Sequence, residues 1–386
     1  MRQSTEIMIQ LIKDELYQNK SESLHNCVYN GKTLVDILIL SRKHGVSQIV
    51  ASSLLNTGVL KNTPQECLFV DELYSSVFIY EKIKSLYDKI CSVLEDNKIC
   101  YIPLKGAVIR NLYPEPWMRI SCDIDILVKK RDIHKAIKLF TESCDLVVKS
   151  KTKHDVTLAS VDGIRLELHF GLLSDKRSPL YSKLASKAWK YAEPVSENTI
   201  EYKMSDSYFY YYHILHMAKH FRIGGCGLRP FIDLWLIIHS NKFNIENSDR
   251  LLKIGKVAAF EQYARKLCEV WFGEKVHNDI TTAMQEYIIE GGSFGSEKTR
   301  IIANRQQYKH KYKYLISRVF VDINYLKSDY PILEKSLLFF PFCIIARFFS
   351  FVFGRKKDFA TRQMLKINNE NTNIDIESGL FKKLGI

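Results

Sequence analysis

The seven residues Cys122-Asp123-Ile124-Asp125-Ile126-Leu127-Val128 constrain this chain more than any other stretch. Polar and apolar residues alternate there, and successive side chains of a strand point to opposite faces. One face carries Asp123 and Asp125, while Ile124, Ile126 and Val128 face a core. The pattern predicts a half-buried strand with two carboxylates on one edge. Two like charges held so close repel, and a shared cation relieves the repulsion. Oxygen ligands on a rigid element suit Mg²⁺, which keeps waters and binds one or two carboxylates together with substrate phosphates. A lone D-x-D is more often a plain solvated edge, so the flanking sequence has to decide.

Upstream, Ile102-Pro103-Leu104 reads as a short strand that turns at Lys105-Gly106 into a helix. A glycine at such a turn lets the backbone approach a ligand, and free N–H groups at a helix start attract phosphate. Lys105 would add a point charge for a triphosphate; a simple turn is the plainer reading. Downstream, residues 153–161 and 164–170 read as two strands joined by a two-residue Asp162-Gly163 turn. In the second, Arg165, Glu167 and His169 share one face, and the two-residue loop puts His154 on the face of Glu167. If this hairpin adjoins the acidic strand, as sequential strands often do, Glu167 supplies a third carboxylate. Arg119, four residues before Asp123, reads either as a phosphate clamp or as a structural arginine.

The ordered set Leu104-Lys105-Gly106, Leu112-Tyr113-Pro114, Arg119, Asp123-Ile124-Asp125-Ile126-Leu127-Val128 and Glu167-Leu168-His169 resembles the NTP_transf_5 family. That family is a largely uncharacterised group within the DNA polymerase β-like nucleotidyltransferase superfamily. His213, His216 and His220, followed by Gly227-Leu228-Arg229-Pro230-Phe231-Ile232-Asp233-Leu234, are similar to its helical C-terminal pattern. Ser41-Arg42-Lys43-His44-Gly45-Val46 is a weaker echo, and the resemblance spans residues 35–240.

The resemblance implies an α+β fold, a small mixed sheet embedded in N- and C-terminal helical regions. It implies Mg²⁺ or Mn²⁺ held by Asp123, Asp125 and Glu167, which are also the implied catalytic carboxylates. Lys105 and Gly106 stand where the superfamily has its glycine-rich phosphate turn, and Arg119, His169 and His220 are expected to face the nucleotide. The implied substrate is an NTP, ATP included, whose NMP moves to an acceptor hydroxyl with release of pyrophosphate. This chain departs from the superfamily at Gly106-Ala107, where Gly-Gly or Gly-Ser is usual, so a hydroxyl that would touch phosphate is missing.

Around these motifs, residues 1–97 read as helical. Leu34, Ile37 and Leu38, and then Val77, Ile79, Ile83, Leu86, Ile90 and Leu94, recur at helical spacings. The transferase core is expected over 98–175, with a helix over 133–143, and a C-terminal helical domain over 176–330. An apolar and basic segment follows over 331–360, then a polar tail over 361–386 that is expected to fray. A helix over 206–222 puts His213, His216 and His220 on one face. With no evident Cys or Glu partner for zinc, packed or groove-lining histidines are the simpler expectation. Arg229 and Asp233 have the spacing of an i,i+4 ion pair. The run 336–357 is strongly apolar, but Pro341 and Arg347 interrupt it. A membrane-crossing helix wants about 20 predominantly apolar residues, so none is expected. Core packing is the first expectation for this run, and peripheral contact with a membrane surface the second.

The 386 residues carry a net charge of +13 and a pI near 9.1, which favours polyanions (nucleotide, nucleic acid, anionic lipid) without choosing among them. Nine scattered cysteines without a C-x-x-C pair argue against a disulfide framework or zinc ribbon and for a reducing cytosol. The first ten residues lack a signal peptide's apolar core. A cytoplasmic enzyme is therefore expected, with the inner membrane face as a variant. The acceptor stays open among a small molecule, a glycan precursor, a peptide and RNA. Two rivals remain at this stage. The basic charge motivates a toxin-like enzyme that extends tRNA. The altered glycine turn motivates a non-catalytic nucleotide-binding or scaffold subunit of a surface-glycan or peptide-modification pathway.

Overall fold

The computed structural model describes residues 2–18, 30–152, 154–172, 184–300, 332–352 and 379–386, with single residues 303, 320, 326 and 330. Among the described residues, four helices come first: α1 (Arg2–Tyr17), α2 (Gly31–His44), α3 (Ser47–Thr57) and the long α4 (Glu66–Asp96). The α2 helix has clear punctuation. The Asn30 side chain accepts from the Thr33 N–H at its start, and Gly45 closes it at φ 65°.

The sheet comprises β1 (Tyr101–Pro103), β2 (Asp123–Val128), β3 (Val147–Lys151), β4 (Asp155–Ala159) and β5 (Arg165–His169), in spatial order β1-β2-β5-β4-β3. Two helices interrupt it along the chain, the one-turn α5 (Gly106–Ile109) and α6 (Ile133–Ser143). Strands β2 and β5 run parallel and the other pairings are antiparallel. This is the small mixed sheet expected of the family.

One sheet face carries Ile124, Ile126 and Val128 of β2, Val156 and Leu158 of β4, and Leu166 and Leu168 of β5. They pack on Ile83, Ile90 and Leu94 of α4 and on Ile133, Ala136 and Phe140 of α6. The apolar half of each alternating strand is thus spent on a helical layer, and the polar half is left to the opposite face.

Two local expectations change. The hairpin does not close with a two-residue loop: Ser160 N donates to Ile164 O, and Gly163 lies at φ 84°. This three-residue loop pairs Thr157 with Glu167 and Asp155 with His169. A shift of one residue exchanges faces, and the burial of Val156 and Leu158 selects this register. His154 therefore precedes β4 instead of sharing the Glu167 face within it. Strand β3 was also not anticipated; all five of its residues are exposed, so it has no buried alternation to read.

The region read as uniformly helical from 176 contains another hairpin, β6 (Ala192–Pro194) and β7 (Tyr202–Met204), after a 3-10 helix over Ala185–Tyr191; residues 176–183 lie outside the described residues. It is followed by α7 (Asp206–Arg222), α8 (Arg229–His239), α9 (Ser248–Ile254), α10 (Ala258–Trp271) and α11 (Asp279–Gly291). These helices share one core with α1–α3, in which Tyr208, Tyr211, Phe221, Phe231 and Phe260 are fully buried.

After Gly291 the described residues include α12 (Ile332–Lys335) and α13 (Phe340–Val352). Core packing describes only part of the apolar run, since Cys343 and Ile344 join a small buried cluster with Leu326 and Leu333. Leu338, Phe342, Ile345, Phe348 and Phe349 are all exposed, while Cys343, Ile344 and Arg347 are buried. No described helix is long and apolar enough to cross a membrane. Residues 353–357 and 361–378, including the basic end of this run and most of the expected tail, lie outside the described residues.

Candidate active site

The parallel register of β2 and β5 places Asp123 opposite Arg165 and Asp125 opposite Glu167. The two acidic positions of β2 and the acidic position of β5 therefore share the face left free by the core. Ligand atoms of Asp125, Glu167 and His169 lie within 4.8 Å of one another. His169 Nε2 is 2.8 Å from Asp125 Oδ1 and 3.5 Å from Glu167 Oε2. Asp123 lines the same cleft, outside that closest group of three.

The acids are already partly compensated. Lys105 Nζ donates to Asp125 Oδ1 at 2.7 Å. Burial alone would raise the Asp125 carboxyl, but the Lys105 ammonium and the His169 hydrogen bond hold it below the ordinary carboxylate range. Burial works against the charged imidazole of His169, yet its bonds to Asp125 and Glu167 push its pKa upward. Asp123 goes the other way: burial and then the neighbouring Asp125 charge raise it. Asp125 is the firmly ionised member of the group, and Asp123 is the one that gains most from an added cation.

Lys105 sits at φ 44° and ψ −112°, a sparsely populated conformation for a side chain with a Cβ. It is anchored on both sides, since Leu104 N donates to Asp125 O and Ile109 N to Lys105 O. The strained turn swings the ammonium back over the acidic strand. Lys105, expected to serve phosphate, lines the cleft with its charge against Asp125. At Gly106 a Cβ would lie 2.5 Å from Arg119 Nη1, so close side-chain packing accounts for glycine there.

Arg119 was expected as one of the nucleotide-facing residues, but its guanidinium is committed elsewhere. Its Nε and Nη2 donate to the two Asp233 carboxylate oxygens at 2.9 and 2.8 Å, and the Tyr113 hydroxyl donates to the same carboxylate at 2.7 Å. All three side chains are buried. The structural alternative for Arg119 describes this geometry. Asp233 correspondingly does not pair with Arg229, whose Nη1 donates to Ile120 O.

Helix α7 forms the wall opposite the sheet. His213, His216, Lys219 and His220 line a cleft of about 540 Å³ together with Asp123, Asp125, Glu167 and His169. Burial, reinforced by nearby Lys105, lowers the His216 pKa well below its usual value; burial and Lys219 bring His220 to about 4. His213 is lowered chiefly by burial, and its Nε2 meets Pro230 O at 3.0 Å. The trio is thus neutral near pH 7, with His216 and His220 in mutual contact at 3.1 Å. Among the described residues it forms no three-ligand metal cluster.

Sequence reasoning missed two cleft residues. Lys219 follows His216 by three positions and, among the described residues, is a cleft cation that makes no ion pair within 4 Å. Phe294 stands at the cleft margin, 85% exposed. Its signal was available: Gly291-Gly292-Ser293-Phe294-Gly295 sets one large ring among glycines.

The class is now defined by shape: a small mixed sheet presents clustered carboxylates to a cleft walled by a histidine- and lysine-bearing helix. The sequence supplies the family, because the model of the uncharacterised nucleotidyltransferase family NTP_transf_5 matches residues 33–273, more than half of the chain, and the protein belongs to it. It is accordingly a nucleotidyltransferase enzyme. No curated protein matches the chain in sequence. Among solved structures, the antibiotic-resistance factor ANT(2'')-Ia is similar over 47% of this chain and 93% of its own. At 12% identity and a TM-score of 0.33, that likeness carries no argument about this chain's chemistry.

Proposed function

We propose that the protein moves a nucleoside monophosphate from an NTP to an acceptor hydroxyl with the help of a divalent cation. The observation that carries this reading is the convergence of Asp125 and Glu167, with Asp123 beside them, on a cleft that also holds Lys219 and Arg229. The donor set fits a hard cation: carboxylate oxygens dominate it, as Mg²⁺ or Mn²⁺ requires. Asp123, Asp125 and Glu167 would hold the ion, and its bound charge would neutralise the phosphates and the departing pyrophosphate.

The chain's own residues account for the rest. Glu167 is the more open of the two carboxylates nearest His169, with its side chain 33% exposed against 4% for Asp125. It is the acid placed to take the proton from the acceptor hydroxyl. The hydroxyl oxygen bonds to the α-phosphorus, the α–β bridging P–O bond breaks, and pyrophosphate leaves. Lys219 and Arg229 are the cations placed to hold the phosphate chain, in the role first expected of Lys105 and Arg119. Most of the rate in such a transfer comes from positioning and charge compensation, which a preformed cleft supplies.

Transfer of label from α-³²P-NTP to acceptors in total cell extract, with Mg²⁺ present, is the direct test. Asp125→Asn should lower it by at least about a hundredfold, in line with the loss of a key electrostatic group. Chelation should abolish it in the wild type. Transfer that survives both treatments would remove the assignment.

A second proposed partner is an anionic membrane surface, met by the exposed apolar face of α13. That face motivates it, and the acceptor and compartment do not depend on it.

A further inference from the structure

Phe294 is a large ring offered to water at the rim of a polar cleft, and the surrounding backbone is built to hold it there. Ser293 N donates to Lys43 O at 3.0 Å, and Arg300 Nη2 donates to Phe294 O at 2.7 Å. Gly292 and Gly295 flank it at φ 62° and 81°. A Cβ at Gly225 would lie 2.1 Å from Gly295 N and 2.6 Å from the Phe294 carbonyl carbon. The loop is therefore packed backbone to backbone on the chain that leaves α7. Ile223, 56% exposed, lines the cleft from that same chain. Among the described residues, no aromatic ring pairs with Phe294.

The cations and acids line the cleft behind this lip. A Cβ at Gly45 would be 3.7 Å from both Ser293 Oγ and Arg229 Nη1, so Gly45 lies between the residue before Phe294 and the Arg229 guanidinium. Arg229 and Asp123 line the same cleft. Ring, guanidinium and carboxylate thus line one cleft. A nucleotide brings matching groups to it: a flat base, a phosphate chain, and an α-phosphate that must approach the metal-binding acids. An aromatic face binds any base by stacking, without a hydrogen-bond code.

We infer that Phe294, backed by Ile223, is the platform on which the base of the substrate NTP stacks, while its phosphates reach Arg229 and the acids of the same cleft. This rests on the nucleotidyl-transfer reading above and specifies how that substrate lies in the cleft. A platform of this kind distinguishes nucleotide from bare polyphosphate, and it discriminates weakly among bases.

The test compares binding of the four ribonucleoside triphosphates with binding of inorganic tripolyphosphate, by calorimetry in Mg²⁺ on the full chain. Phe294→Ala should weaken NTP binding by about tenfold, the scale of one lost stacking contact. It should leave tripolyphosphate unchanged, and Phe294→Trp should restore the NTP. Because the ring is exposed, the alanine variant should unfold at the wild-type temperature. Unchanged NTP affinity in Phe294→Ala, an equal loss for tripolyphosphate, or a loss confined to the acceptor's KM would overturn the platform while the transferase reading stands. A wild-type chain that binds no NTP would overturn both.

Discussion

At the residue scale, the informative feature is how many titratable groups are held out of their ordinary state by burial. His44 closes α2 and is fully buried; burial, followed by the adjacent Lys43 charge, lowers its pKa from 6.5 to about 3. The unfolded chain therefore takes up this proton at a higher pH than the native one. The stability the group contributes is complete above about pH 6.5 and is lost as the pH falls toward 3. One such histidine gives a slope of about 1.4 kcal/mol per pH unit inside that window. Urea unfolding of wild type and His44→Leu between those limits should show a shallower fall in the variant. Parallel curves would exclude His44 as the source. The carboxylates were legible in the sequence because alternation fixes which side chains share a strand face. The partners of Lys105 and Arg119 were not. A lysine 20 positions from Asp125, or an arginine 114 from Asp233, leaves no periodic trace, and only the folded chain decides whether its charge meets phosphate or a carboxylate.

At the scale of elements, the β4–β5 hairpin shows what a turn dipeptide does and does not specify. Asp162-Gly163 marks a reversal, but register follows from burial of Val156 and Leu158 against Leu166 and Leu168. Reading the apolar pattern before the turn would have placed Asp155 and Thr157, not His154, on the Glu167 face. The loop that carries Phe294 follows the opposite logic, since backbone approach rather than side-chain pattern positions it. Gly225→Ala would force a methyl into the Phe294–Gly295 backbone, where no flexible side chain is available to move aside. The expected cost is about 2 kcal/mol, typical of overpacking a close contact. Nucleotide affinity should fall at least as far as in Phe294→Ala, because the whole loop shifts. Denaturant midpoints and the same calorimetric titration would read both effects; a variant as stable and as tight-binding as wild type would show that the loop is not held by this contact.

At the scale of the whole molecule, two unlike features stand out. The Arg119–Asp233–Tyr113 group, buried and bidentate, clasps the segment before β2 to α8, and so fixes the sheet's acids against the helical wall. Far along the chain, α13 inverts the usual arrangement of a surface helix. Its one charged side chain among the described positions, Arg347, is buried, and Phe342, Ile345 and Phe349 face outward at helical spacing. Residues 336–357 contain no Asp or Glu and four basic residues, Arg347, Arg355, Lys356 and Lys357. An outward apolar stripe on a described helix not long and apolar enough to cross a bilayer, in a basic stretch, suits the interface of an anionic membrane. The full chain should therefore sediment with vesicles containing about a third phosphatidylglycerol, bind weakly to pure phosphatidylcholine, and release as salt rises. Phe342→Glu with Phe349→Glu should cut that binding by about tenfold or more, since each carboxylate opposes both the apolar and the electrostatic attraction. Both positions are exposed, so transferase activity in solution should be retained. Absence of vesicle binding in the wild type, or self-association that the same two substitutions dissolve, would assign the face to a protein contact instead.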